Sequence, residues 1–159
     1  MMRRRWRGWT EDGFVGGFEA LPFGFLIFVS GTLLLANAWA VVDAHVAATS
    51  AATEAVRTFV ESSGDPALAR QAGEQAALDA LAGQGKSASR AVVTWEGADL
   101  VRCQPVSVTV TYRVPTISVP WLGSFGNGLV RTSARHTEVV DPWRDGLDVD
   151  GFDAGACVG

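Results

Sequence analysis

Residues 13–42 read GFVGGFEALPFGFLIFVSGTLLLANAWAVV, and this stretch decides what kind of protein the chain is. Between Ala20 and Val42 there is no Asp, Glu, Lys or Arg. At about 1.5 Å rise per residue the run makes a helix of roughly 34 Å, enough to cross a hydrocarbon core of about 30 Å. Ser30, Thr32 and Asn37 interrupt it. Their side chains can bond to their own helix or to a neighbouring one, so residues 20–42 are predicted to form one membrane span. Glu19 stands at the mouth of the run. An acid carried into apolar surroundings costs several kcal/mol unless a cation compensates it, which makes Glu19 a candidate assembly determinant. The plainer alternative is an interfacial acid, half-hydrated at headgroup level.

The flanks set the expected orientation. Arg3, Arg4, Arg5 and Arg7 precede the run, whereas Asp43, Glu54 and Glu61 follow it, so the positive-inside bias leaves residues 1–19 in the cytoplasm as a basic leader and exports the rest. Residues 43–159 carry 9 basic and 14 acidic residues, a net of −5, which argues against a nucleic-acid surface. A second reading starts from Ala36-Asn37-Ala38, a small-x-small pattern of the kind cut by signal peptidase. Cleavage after Ala38 would release a secreted binding module. The run is longer than a usual signal core and its helical pattern continues past the cut, which favours retention.

About 115 residues follow the span, enough for one small domain. Residues 43–88 read as helical. Val46, Thr49, Thr53, Val56 and Val60 recur at steps of three or four, and Ala47, Ala48, Ala51, Ala52 and Ala55 favour close helix packing, so the membrane helix is expected to run on to Gly64-Asp65-Pro66. A second, modestly amphipathic helix carrying Leu68, Ala72, Leu78 and Leu81 on a mixed face is predicted over residues 66–82 at the domain surface. From residue 89 the period changes. Residues 91–95 suggest a strand that turns at 96–99 and pairs with 100–102, and residues 105–113 alternate Val106, Val108, Val110 and Tyr112 with polar neighbours. A last strand is expected over 129–140, followed by an acidic, glycine-rich tail. The expected class is α+β: a long N-terminal transmembrane helix continuing into a small extracytoplasmic domain, with a second helix and an antiparallel sheet over residues 89–159 whose apolar face is covered by the long helix.

Candidate sites are few. Cys103 and Cys157 are the only cysteines and both fall on the exported side, where a disulfide between them would close a loop of about 55 residues, worth roughly 4 kcal/mol by chain entropy. Two cysteines without clustered histidines are poor grounds for a metal site, and the acidic tail lacks the ligand spacing of an EF-hand, so no metal or cofactor is expected. His45 and His136 stand alone, with no nucleophile or acid at a catalytic spacing. The chain is therefore read as non-enzymatic. The connection 114–128, VPTISVPWLGSFGNG, carries Trp121, Leu122 and Phe125. These side chains either tuck over the end of the sheet or form a partner-contact or membrane-surface patch.

A basic leader ending at Gly13, a following Glu19, one apolar helix that continues outward and a small β-containing head together resemble the type IV pilin-like proteins. More closely, GFVGGFEALPFGFLIFVSGTLLLANAWAVVDAHVAATSAATEAV and the late ARHTEVVDPWR resemble the TadE-like minor pseudopilins of tight-adherence (Tad/Flp) pilus systems. The resemblance implies a pilin-like fold in the bacterial cytoplasmic membrane, a prepilin peptidase cutting between Gly13 and Phe14, and Glu19 neutralising the terminal amine of a neighbouring subunit. The implied partners are other pilin-like subunits and the pilus assembly machinery. Glu19 stands sixth after Gly13, one beyond the family's usual fifth position, so both a processed minor pseudopilin and an uncut membrane-anchored accessory protein remain open.

Overall fold

A computed structural model describes residues 20–117, 129–144 and 147. The chain divides into two compact units, Met1–Ala38 and Trp39–Gly159. Helix α1 spans Ala20–Glu61 as one unbroken element, and its surface changes character along its length. Through Val42 the large apolar side chains, among them Phe23, Phe25, Ile27, Phe28 and Leu35, are exposed. From Ala44 onward an alanine face is buried: Ala44, Ala47, Ala48, Ala51, Ala52 and Ala55, then Val56 and Phe59. Alanine loses no side-chain entropy in a helix and lets neighbouring backbone approach closely. The buried face therefore includes Ala47, Ala48, Ala51, Ala52 and Ala55, the small residues suited to close helix packing, while Val46, Thr49 and Thr53 lie off it. Val46 is 54% exposed, and Thr49 and Thr53 donate Oγ1 bonds to the carbonyls of His45 and Thr49 at 2.9 and 3.0 Å.

Gly64, at φ +99°, supplies the left-handed turn that follows α1. Asp65 then accepts the amide of Ala67 at 2.8 Å and Pro66 opens α2, Pro66–Gly83, as a cap and a first-turn proline should. The buried residues of α2 are Ala69, Gly73, Ala77 and Leu81, one per turn. A Cβ built at Gly73 would lie 2.7 Å from the carbonyl oxygen of Ala55 and 2.6 Å from Cη2 of Trp95. The seam between the helices is thus made of the smallest residues available. Of the apolar residues that mark this helix in the sequence, Leu81 belongs to the buried face and Leu68 is 66% exposed.

A short 3-10 turn, Ala88–Arg90, leads into β1 (Ala91–Glu96), which is followed by β2 (Pro105–Pro115) and β3 (Leu129–Val139). They form an antiparallel sheet in the order β1-β2-β3. Its register runs from Ala91↔Tyr112 to Glu96↔Ser107 on one side of β2 and from Pro105↔Val139 to Pro115↔Leu129 on the other. Val106, Val108, Val110, Tyr112 and Val114 are all buried, so the alternating face read from the sequence is the covered one. Phe59 of α1 meets Trp95 of β1 with ring centroids 5.2 Å apart. Burying a phenylalanine this completely is worth roughly 2–3 kcal/mol. On the opposite face hydroxyls and charges bridge the strands: Thr94 donates to the Thr109 carbonyl, Ser107 meets Thr137 at 2.7 Å, and Arg135 pairs with Glu96 at 2.8 Å.

The hairpin expected between residues 91–95 and 100–102 does not form. β1 pairs along its whole length with β2, which offers a far longer ladder than three residues could. Ala98 and Leu100 instead turn into the core from the connection. Beyond β3 the chain folds back: Cys103 donates its amide to Val140 at 2.9 Å and Val140 donates to Gln104 at 3.1 Å. Arg102 holds the carbonyl of Arg144 at 2.8 Å, and the Arg144 guanidinium donates to the carbonyls of Val60 and Glu61. Those carbonyls belong to the last turn of α1, where they lack intrahelical partners and where a cation is favoured by the helix dipole.

Candidate functional site: the apolar helix and the α1 end of the head

The first candidate is the apolar part of α1. Its most apolar 18-residue window has a mean hydropathy of 2.1, and none of it is buried. The helix is long and apolar enough to cross a membrane, and a signal sequence near an N-terminus has the same length and composition. Two of the three polar groups in the run bond to the preceding turn: Thr32 Oγ1 donates to the Phe28 carbonyl and Asn37 Nδ2 to the Leu33 carbonyl, each at 2.9 Å. Such bonds to the preceding turn remove most of the cost of placing a hydroxyl or amide in lipid. Leu21, Phe23, Phe25, Leu26, Ile27, Phe28, Leu34 and Leu35 are each more than 60% exposed. Moving these side chains out of water is worth on the order of 10 kcal/mol, far more than the three polar interruptions cost.

The second candidate is a cleft of about 240 Å³ lined by Ala40, Asp43, Ala44, Lys86, Arg90, Tyr112 and neighbouring residues. Lys86 forms an ion pair with Asp43, and the Tyr112 hydroxyl accepts the Ser87 amide at 3.3 Å. Lys86 is placed by the end of α2, where its amide bonds the Leu81 carbonyl at 2.9 Å. The sequence marked Asp43 as a flanking acid and Tyr112 as a strand residue but gave no sign of the cleft, because residues 43, 86, 90 and 112 are brought together only by packing. The α2 side of the helix seam was not singled out either, although Ala69-x-x-x-Gly73-x-x-x-Ala77 puts a small residue at every fourth position, the spacing of close helix contact.

A catalytic arrangement does not assemble among the described residues. His45 Nδ1 lies 3.1 Å from Thr132 Oγ1, but no acid orients the other ring nitrogen. His136 Nε2 lies 3.5 Å from Glu138 Oε1, and no hydroxyl or thiol is bonded to that ring. Among the described residues no group of three or more His, Cys, Asp or Glu gathers to hold a metal ion. Arg57 is held above its ordinary range, chiefly by its hydrogen bond to Glu61 at 2.9 Å and then by the charge of that carboxylate. It stays cationic in either case, which makes it a surface ion pair rather than a reacting group.

Of the residues singled out in the sequence, Gly13, Phe14, Glu19, Trp121, Leu122, Phe125 and Cys157 lie outside the described residues. Cys103 is disulfide-bonded. It takes a left-handed backbone, φ +65°, which costs a non-glycine residue about 1 kcal/mol and is held by the flanking bonds to Val140. The chain matches no protein-family model, none of the curated proteins and no solved structure.

Proposed function

We propose that the chain is a single-pass, pilin-like protein of a bacterial cytoplasmic membrane, with a cytoplasmic N-terminus and an extracytoplasmic head, working without enzymatic activity as a TadE-like minor pseudopilin or accessory protein in Tad-type pilus assembly. The observation that carries this reading is the two-part surface of α1: an exposed apolar half in which Thr32 and Asn37 bond to the preceding turn, continuous with an alanine half that packs under a three-stranded antiparallel sheet. A helix with that division anchors a head and leaves an apolar surface for lipid or for neighbouring helices. Its partners are other pilin-like subunits and the assembly machinery in the membrane, with Glu19 as the pairing acid and a prepilin peptidase acting at Gly13-Phe14.

A second reading is favoured by one observation. The boundary between the two compact units falls between Ala38 and Trp39, where signal peptidase cleavage would release a secreted binding module. The unbroken helical bonding of α1 through that point weighs on the other side. Intact mass and N-terminal sequence of the protein recovered from its native membranes decide. Phe14 at the N-terminus identifies a processed pseudopilin, Met1 an uncut accessory protein, and Trp39 removes the pilus reading. Glu19→Ala is expected to leave the protein inserted while weakening co-purification with pilin-like subunits.

A further inference from the structure

Four of the nine basic residues of the unit Trp39–Gly159 stand at one end of its sheet, against the overall charge of the unit. Arg113 of β2 and Arg131 of β3 are direct partners in the sheet register, and both are exposed. Like charges placed opposite each other on a sheet repel, yet among the described residues neither arginine has an ion pair. Arg90, also exposed and without an ion pair among the described residues, immediately precedes Ala91, the partner of Tyr112. It brings a third guanidinium to the same end of the sheet. Lys86 adds a fourth cation and neutralises Asp43, the one carboxylate lining the cleft.

This end of the sheet is also where the apolar run of α1 finishes. Tyr112, Val114 and Pro115 line the cleft together with Ala40, Asp43 and Ala44, and Asp43 is the first charged residue after Val42. Among the described residues no carboxylate pairs with this row of arginines, in a unit with a net charge of −5. The row suits a planar array of anions. We infer that this end of the head binds the phosphate groups of anionic lipids at the surface of the membrane that α1 enters. Arg90, Arg113 and Arg131 supply forked hydrogen bonds to phosphodiester oxygens. Lipid phosphate is the source because the row lies where the apolar run ends, which is headgroup level for an anchored helix. The inference rests on the reading of α1 as a membrane anchor.

The test uses the full chain in vesicles of phosphatidylcholine mixed with phosphatidylglycerol, each lipid in turn carrying brominated acyl chains. Trp39, the tryptophan within the run 20–42, reports by quenching which lipid surrounds the helix. The wild type is expected to favour phosphatidylglycerol about fivefold at low salt, and about 0.5 M salt should abolish most of that preference. R113Q/R131Q should bring it below about twofold, while R57Q/R135Q, which removes the same charge elsewhere, should retain it. Equal affinity for the two lipids, or a preference that survives R113Q/R131Q, overturns the inference. So does loss of the preference to inorganic phosphate at constant ionic strength, which would assign the row to free phosphate. Flotation of the same samples separates the two readings. A chain that floats with either vesicle but shows no lipid preference removes only this inference, whereas a chain that floats with neither removes the anchor itself.

Discussion

Replacing Gly73 by alanine should destabilise the head, although alanine is the better helix former. The new Cβ would sit 2.6 Å from Trp95 Cη2 and 2.7 Å from the Ala55 carbonyl oxygen, against an ordinary carbon contact of about 3.5–4.0 Å. Roughly 1 Å must open on both sides at once. The Ala55 oxygen is helix backbone and cannot rotate away. Trp95 is pinned by Phe59 at 5.2 Å and by its Nε1 bond to Glu74 at 3.2 Å. Overpacking of this kind costs about 1–3 kcal/mol, and with backbone on one side the upper half of that range applies. Helix propensity returns about 1 kcal/mol, leaving a net loss of about 1–2 kcal/mol, or a fall in Tm of about 4–8 °C for a domain of this size. The control is Gly83→Ala at the end of the same helix, where an added Cβ meets nothing within 4 Å; its Tm should stay level or rise. Thermal unfolding of the full chain in detergent, followed by near-UV circular dichroism, reads both. If G73A melts at or above the wild type, the two helices do not approach this closely and the small-residue seam is wrong.

Three other perturbations probe the supports of the head. Arg144→Ala removes the donors to the Val60 and Glu61 carbonyls and should cost about 1–2 kcal/mol, visible as a lower urea midpoint with an unchanged slope; no shift would mean that water caps α1 equally well. Asp65→Ala should cost about 1 kcal/mol through loss of the cap on Ala67, whereas Asp65→Asn should stay within a few tenths; equal losses in thermal melts would point to charge rather than capping. Reduction of the disulfide at Cys103 should lower the urea midpoint by the equivalent of about 2–4 kcal/mol, and Cys103→Ser should match the reduced wild type and no longer respond to reductant.

Much of the fold was legible because its signals are local. The charge-free run 20–42, the Gly64-Asp65-Pro66 break and the alternation of Val106 to Tyr112 each fix an element through a few neighbouring residues, and each element stands in the structure. What escaped depends on distance. On α2, hydrophobic periodicity points to Leu68, Ala72, Leu78 and Leu81, whereas a helix seam that lets backbones touch selects Ala69, Gly73 and Ala77, which periodicity ranks low. Leu100 was read as strand because it is apolar, although its place in the core comes from the loop. The cleft of Asp43, Lys86, Arg90 and Tyr112 carries no motif, since its members come from different elements and share only an end of the sheet. Arg144 read as part of an irregular tail; its role depends on carbonyls of a helix 84 positions earlier.

That last contact also constrains the order in which the head can be completed. On the proposed reading, a chain exported from its N-terminus delivers α1 first, with its alanine face bare and its final carbonyls open. β1 and β2 can cover part of that face as they emerge, but the strand that flanks β2 on its other side arrives only with Leu129–Val139, and the lock on α1 only with Arg144. Closing so long a loop comes late in any pathway. Export that stalls before residue 144 therefore yields an anchored but open head, with a sticky helix face and an unpaired β2 edge, the kind of species that quality-control proteases at a membrane remove.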